Sequence, residues 1–375
     1  MKIDHSNNFD LIRIFAASQV VIMHAGSSAL PSGISYVLSQ FPGVPIFFIV
    51  SGFLVTWSYL YGKGGVWAYF TRRALRIYPA LWVNVGIILV LLFITGSIAP
   101  ELGTRNFGLW IAATFTAGSD IYGTYLAGPI VNPAGFYPKF PSGVLWTIPE
   151  ELGFYVLLPL IIATIGKNRK YSWLVLLAWF AGSFSILRYY QHLKIMGLSE
   201  TLVAKVISIN PLTDLWLFLL GSGCAIYWNR VRPIFENRFP LWLAVFLTVS
   251  VLETWLFAIQ FFDIRNGSSI SATAIVLMLI QAALLAAVVL SFAFTWKTLA
   301  SVLRGNDFSY GIYLYHMPIA FTLIGIGLKG SHFYWPILVT GTLCAAAMSW
   351  YLIERPALRL KSRAADWFRS RESKV

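Results

Sequence analysis

Arg13 and His24 stand eleven residues apart in one apolar stretch, FDLIRIFAASQVVIMHAGSSAL. At 100° per residue, eleven helical steps return to within about 20° of the starting direction, with a rise of roughly 16 Å. A guanidinium and an imidazole therefore share one face of one helix. Ionisable side chains inside a membrane span are costly unless they face a protein interior or a wet cavity, so the pair is a candidate for function. Imidazole titrates near neutral pH and can take a proton from a hydroxyl. Guanidinium offers a planar fork of donors to an anion. Arg13 also stands three residues from Asp10, which admits a plain structural ion pair.

Composition shows what kind of element holds this pair. The chain is 58% hydrophobic and only 11% charged, whereas a soluble domain carries about 25% charged residues. Its mean hydropathy is +0.70. Apolar runs long enough to cross a bilayer, around 20 residues each, recur at 9–30, 41–62, 79–98, 144–165, 172–190, 211–229, 239–260, 270–294, 308–328 and 333–353. The expected fold is an all-α integral membrane protein of about ten transmembrane helices. A shorter run, 107–117, reads as an interfacial or re-entrant helix. The first span is not a cleavable signal peptide, because Arg13 and His24 interrupt it and further spans follow.

Lys and Arg give the orientation. One set of loops and the C-terminal tail hold nineteen of them: Lys63, Arg72, Arg73, Arg76, Lys167, Arg169, Lys170, Arg230, Arg232, Arg238, Lys297, Arg304, Arg355, Arg359, Lys361, Arg363, Arg369, Arg371 and Lys374. The opposite loops hold seven: Arg105, Lys139, Arg188, Lys194, Lys205, Arg265 and Lys329. Both termini are therefore expected in the cytoplasm. The net charge of +13 is this topology signal plus attraction to anionic membrane lipid, with no support for nucleic-acid binding. One domain is expected over 1–356, followed by a basic cytoplasmic tail, 357–375. Cys224 and Cys344 read as small packing residues in apolar spans. No metal-ligand spacing and no glycine-rich phosphate loop is present.

Two outer segments, 118–143 and 191–210, are long for a compact membrane protein, and structureless loops of this length are usually lids, binding loops or disorder. The first carries Pro129, Pro133, Pro138 and Pro141 with Tyr122, Tyr125, Phe136, Tyr137 and Phe140. These aromatics either stack on sugar rings or pack the loop on helix ends. In TRRALRIYPALW, Arg73 and Arg76 are neighbours on a helix face. They are either a cytoplasmic anchor or a phosphate clamp, and Pro79 is expected in the first turn of the next span. In FPGVPIFFIVSGFLVTW, Gly43, Ser51 and Gly52 permit close helix contact, and Ser51 can also donate a hydrogen bond into a cavity. Glu150 and Glu151 open the fourth span, and at least one is expected to turn inward to a polar partner. Tyr310, Tyr313 and His316 line one broad face of the ninth.

Taken in order, these segments resemble the membrane-bound acyltransferase-3 family. FDLIRIFAASQVVIMHAG is similar to its Arg-X10-His signature, GVPIFFIVSGFLV to its GVxxFFxxSGF segment, and RRALRIYPALW to its RRxxRIxPxxW segment. LWTIPEELGFYVLLP resembles LWxxxxExxFYxxxP, which places the family acid at Glu151. FSYGIYLYHMPI resembles SYxxYLxHxP, and IERP the terminal ERP. Pro45 stands where the family often has an acidic or polar residue, which removes that polar contact. The resemblance spans residues 9–356 and implies an O-acetyltransferase. Acetyl would move from cytoplasmic acetyl-CoA, a donor substrate and not a permanent cofactor, to a carbohydrate hydroxyl at or beyond the outer face. It implies catalytic roles for His24 and Glu151, donor contacts from Arg13, Arg73 and Arg76, and acceptor contacts from Ser51, Tyr310, Tyr313 and His316. It also implies a bacterial inner membrane. Some family members carry a fused extracytoplasmic esterase-like domain, for which this chain has no room. The expected partners are therefore acyl-CoA, a carbohydrate acceptor such as O-antigen or exopolysaccharide, and separate polysaccharide-assembly proteins. The alternative class is an exporter or flippase of a glycan or lipid-linked precursor; such transporters often show internal repeats, and the sequence has no convincing one.

Overall fold

The computed structural model describes residues 7–26, 31–166, 171–257, 271–303 and 305–361. Lys2, Lys167, Arg169, Lys170, Arg265 and Arg304 lie outside the described residues, as does the tail from 362 onward. Apart from an isolated bridge between Ile98 and Val131, the described elements are helical. In chain order they are α1 (Phe9–Gly26), α2 (Ser32–Ser39), α3 (Gly43–Tyr61), α4 (Gly65–Ile94), α5 (Gly103–Ala117), α6 (Asp120–Ala127), α7 (Thr147–Ile165) and α8 (Ser172–Ile195). Then come α9 (Leu202–Ser208), α10 (Leu215–Ile226), α11 (Trp228–Phe235), α12 (Phe239–Phe257), α13 (Ala272–Ala293), α14 (Ser309–Gly325) and α15 (Tyr334–Ser349). Among the described residues, eight helical segments are long and apolar enough to cross a membrane. Each expected span has a helical counterpart, but two are short. The run 211–229 resolves into a 12-residue α10 flanked by other turns, and 308–328 into a 17-residue α14. At 1.5 Å per residue a 12-residue helix covers about 18 Å, less than the roughly 30 Å hydrocarbon core.

Two compact units divide the chain: Met1–Gly62 with Gly153–Asn306, and Lys63–Leu152 with Asp307–Val375. In the first, small residues set the helix spacing. A Cβ on Gly52 would fall 2.0 Å from the Phe218 carbonyl oxygen, and one on Gly221 would fall 2.0 Å from that of Ile49. Backbones of α3 and α10 therefore touch, and Thr56 Oγ1 donates to Ser222 Oγ at 2.9 Å across the same contact. This is the close approach that small residues permit where lipid supplies no hydrophobic drive between helices. α1 is anchored just before its start and again at Gln19. Asn8 Nδ2 donates to the carbonyls of Phe292, within the end of α13, and Thr295, just beyond it. Gln19 Oε1 accepts from Gly43 N at 2.8 Å, and Gln19 Nε2 donates to Leu38 O at 3.2 Å. Between these anchors Phe9, Ile12 and Ala16 pack with Ile46, Ile49, Phe53, Leu285 and Val289.

In the second unit α4 runs for 30 residues with Pro79 in its interior. This corrects the expectation that Pro79 opens the span: the arginine segment is already helical one to two turns before it. A proline removes one backbone donor inside a helix, a defect that membrane helices tolerate when neighbours re-satisfy the freed carbonyl. α14 is tied to α4 by Asn84 Nδ2 donating to Leu314 O at 3.1 Å. It lies close on α15, since a Cβ on Gly311 would fall 2.7 Å from Ala346 Cα. The Pro-rich segment after α6 is a packed strap. Ala99 N donates to Ile130 O at 2.8 Å, Asn132 N to Ser97 O at 2.9 Å, and Tyr137 N to Ser97 Oγ at 3.2 Å. Tyr137 is buried and shares a 2.8 Å hydrogen bond with Thr322 Oγ1. The Phe136 ring covers Gly325, where a Cβ would fall 2.3 Å from it. Of the two readings open for these aromatics, Phe136 and Tyr137 take the packing one.

Candidate functional site

Arg13 and His24 lie on the unbroken helix α1, so their separation is its rise over eleven residues, about 16 Å. Arg13 pairs with Asp10 at 3.1 Å one turn earlier. Both line a recess of about 310 Å³ with Asn7, Phe9, Leu11, Leu54, Leu303 and Gly305. The paired charges leave this recess polar but close to neutral, offering donors and acceptors side by side. Its chemistry suits amides and hydroxyls better than a bare anion.

His24 sits in the last turn of α1, and its side chain is exposed. Residues 27–30, the end of the span expected over 9–30, lie outside the described residues. His24 Nδ1 lies 2.9 Å from the Val20 carbonyl oxygen, one turn back. A carbonyl only accepts, so the proton resides on Nδ1 and the basic lone pair on Nε2. That is the tautomer a general base requires. Ser51, on α3 of the same unit, is half-buried beside the Gly52–Phe218 contact.

The other expected site residues belong to the second unit. Arg73 is half-buried, its guanidinium 5.9 Å from the centroid of the Tyr69 ring one turn earlier. Arg72 reaches back to donate to Lys63 O at 2.7 Å. Arg76 forms an ion pair with Asp307, the side chains being 19% and 6% exposed. Glu354 is also near enough to interact with Arg76 electrostatically. A guanidinium so compensated is better suited to joining α4 to the start of α14 than to holding a phosphate. Tyr310 Oη donates to Ile77 O at 3.1 Å. Tyr313 Oη bonds Thr147 Oγ1 at 2.7 Å and Val144 O at 3.1 Å. His316 is fully buried, with Nδ1 3.2 Å from Ile312 O, the same tautomer as His24. These three side chains engage α4, the start of α7 and their own helix.

Glu151, the acid that the family pattern selects, is half-buried, while its neighbour Glu150 is only 1% exposed. Tyr122 on α6 faces Glu150, and burial together with that carboxylate pushes the phenol above its ordinary value. Asp120, at the start of α6, is pushed up to about 7 by burial. The inward acid at the head of α7 is thus Glu150, and it is the sequence expectation of one inward carboxylate that it meets.

Several polar groups were invisible to spacing arguments. Asp307 anchors Arg76 and accepts from Ser309 N at 3.1 Å. Glu354, in a π-helical turn over Trp350–Glu354, accepts from Ser349 Oγ at 2.9 Å. Glu253, 3% exposed on α12, stands beside Gln281 of α13. An acid inside an apolar run was a usable signal for Glu253. Glu354 is the acid of the IERP segment, though nothing there indicated its partners; Asp307 stands at a span boundary where acids are ordinary.

The family described as an acyltransferase domain matches residues 6–354. The chain is similar to Nodulation protein 10 of Rhizobium leguminosarum bv. viciae, 35% identical over 368 residues that cover 96% of this chain and 95% of that protein. It is similar to an O-acetyl transferase of Shigella phage Sf6, 25% identical with 95% and 97% covered. It is also similar to the peptidoglycan O-acetyltransferase OatA of Listeria monocytogenes serovar 1/2a, 27% identical over 93% of this chain and 55% of that protein. No solved structure gives a significant match.

Proposed function

The chain belongs to the acyltransferase-3 family and is a membrane acyltransferase, and on that premise we propose that it moves acetyl from cytoplasmic acetyl-CoA to a hydroxyl of a cell-surface or lipid-linked polysaccharide in a bacterial inner membrane. The observation that carries the proposal is the geometry of α1, in which Arg13, lining a polar recess, and His24 are eleven residues apart on one helix, a rise of about 16 Å. That length matches an extended pantetheine arm to order of magnitude. The recess receives the arm's amides, and the thioester lies toward His24.

His24 Nε2 takes the proton of the acceptor hydroxyl as its oxygen attacks the thioester carbonyl. The carbon–sulfur bond breaks, and the imidazolium returns the proton to the departing sulfur. The rival route, acyl-histidine, differs in one observable: acetyl label would be trapped on the protein when acceptor is withheld. Ser51, on the same unit, is proposed to donate a hydrogen bond to the acceptor. For the second unit the proposal is narrower. Arg73 keeps the role of a phosphate contact and Glu151 that of orienting an acceptor hydroxyl, while Arg76, Tyr310, Tyr313 and His316 hold helices in place.

The test is acetyl transfer from labelled acetyl-CoA to a candidate glycan by purified protein in lipid nanodiscs. His24→Ala is expected to lower the rate about 10²–10⁴-fold while leaving the thermal unfolding profile unchanged. A His24→Ala protein with full activity overturns the mechanism. Mass spectrometry of surface polysaccharide made with and without the protein identifies the acceptor by the lost acetyl mass.

A further inference from the structure

The segment that follows α8 is built from hydrogen-bonded turns and a short helix. α8 closes with a hydrogen-bonded turn in which Leu198 N donates to Leu193 O at 2.9 Å and Gly197 N to Lys194 O at 3.1 Å. Gly197 has φ +73°, the left-handed conformation that ends helices abruptly and that glycine adopts without strain. The chain is thereby turned aside into α9. Thr201 caps α9 by accepting from Ala204 N at 3.3 Å, and Ile207 O accepts from Thr213 Oγ1 at 2.7 Å. Ala204 is fully buried, so α9 has an inner face.

Its other face is apolar and exposed. Leu202 is 78% exposed, Val203 51% and Val206 50%; the spacings of three and four residues put them on one side of the helix. Met196 and Leu198, in the turn before, are exposed as well. Along α8, Trp173, Leu174 and Leu177 in its first turns, Tyr189 further on and Ile195 at its end are also exposed. At 24 residues α8 is about 36 Å long, more than the roughly 30 Å hydrocarbon core. Its last turns therefore reach the membrane–water boundary. Tyr189, Tyr190 and Lys194 stand there, with Lys194 Nζ 5.7 Å from the centroid of the Tyr190 ring. Aromatic rings and snorkelling lysines mark such boundaries. Lys205 and Glu200, 3.1 Å apart, supply polar groups beside the apolar stripe.

We infer that residues 196–206 form a membrane-surface ledge, with Leu202, Val203 and Val206 seated at the boundary between phospholipid headgroups and acyl chains. The occupant is the bilayer itself. α9 follows a membrane-spanning helix after one hydrogen-bonded turn, beside the tyrosines and lysine of that helix's last turns, and this placement selects lipid over a protein partner. A short helix with an apolar side and flanking cations is the pattern of interfacial segments. The ledge is independent of which acceptor the protein uses.

The test places one cysteine at a time, Leu202→Cys, Val206→Cys or Glu200→Cys, in the full chain carrying Cys224→Ser and Cys344→Ser, labels it with bimane, and reconstitutes it in phosphatidylcholine nanodiscs. Retained acetyl transfer or an unchanged elution profile verifies the fold of each. Lipids brominated high on the acyl chain are expected to quench positions 202 and 206 at least twofold while aqueous iodide does not, with the reverse at 200. Iodide quenching at 202 and 206 would show a water-exposed face and overturn the proposal. Protection from both quenchers would overturn it in favour of a protein partner or a second copy of the chain.

Discussion

Replacing Asp307 by alanine is expected to weaken the protein's fold by about 3–5 kcal/mol, the usual cost of removing one partner of a buried ion pair. The structure gives two reasons to expect a value in this range and one that moderates it. The carboxylate and guanidinium side chains are 6% and 19% exposed, so water screens them little. Asp307 also accepts from the backbone N of Ser309 at 3.1 Å at the start of α14, and a hydrogen bond to a charged group contributes about 1.5–3 kcal/mol. Against this, Glu354 remains near Arg76 and partly compensates the orphaned cation, which favours the lower half of the range. Asp307→Asn keeps the acceptor oxygen and should cost less. The assay is equilibrium unfolding in mixed micelles of wild type, Asp307→Ala, Arg76→Met and the double variant. If the two side chains work as a pair, the double variant costs hardly more than the worse single one, giving a coupling of roughly 2 kcal/mol or more. A coupling below about 0.5 kcal/mol would refute the reasoning and return Arg76 to the role of a phosphate contact.

Other consequences are equally direct. Gly221→Ala puts a Cβ 2.0 Å from the Ile49 carbonyl and should cost at least about 1–3 kcal/mol; an unchanged unfolding midpoint would mean that α3 and α10 do not touch. Asp120, held at about 7 by burial, has a folded value above its unfolded one. Its contribution is therefore fully present below about pH 4 and is lost as pH rises through 7. Asp120→Asn should flatten the fall in melting temperature between those limits, and an unaltered slope would show the carboxyl to be solvated. Arg13→Ala should raise KM for acetyl-CoA by roughly tenfold or more, the worth of a lost charge-assisted hydrogen bond; initial-rate kinetics with an unmoved KM would remove the recess from the donor's path.

The sequence by itself determined that the chain is a membrane protein built from helices, and that Arg13 and His24 share one face of the first. Both facts are local. Apolar length is written in windows of about 20 residues, and the angle between two positions on one helix follows from its pitch alone. The motif order from FDLIR to IERP likewise identified the family over nearly the whole chain. Where local signals ran across a proline or a polar run they misled: α4 starts well before Pro79, and α10 is far shorter than its apolar surroundings. Only the tertiary structure decided which polar groups meet. Arg76 finds Asp307 at a sequence separation of 231, Tyr137 finds Thr322 at 185, and Glu253 lies beside Gln281. In lipid, apolar helix faces do not specify their neighbours; close contacts between small residues and scattered hydrogen bonds do. Those contacts come into being only when the helices pack, and so the partner of a charge is a property of the fold and not of its neighbours in sequence.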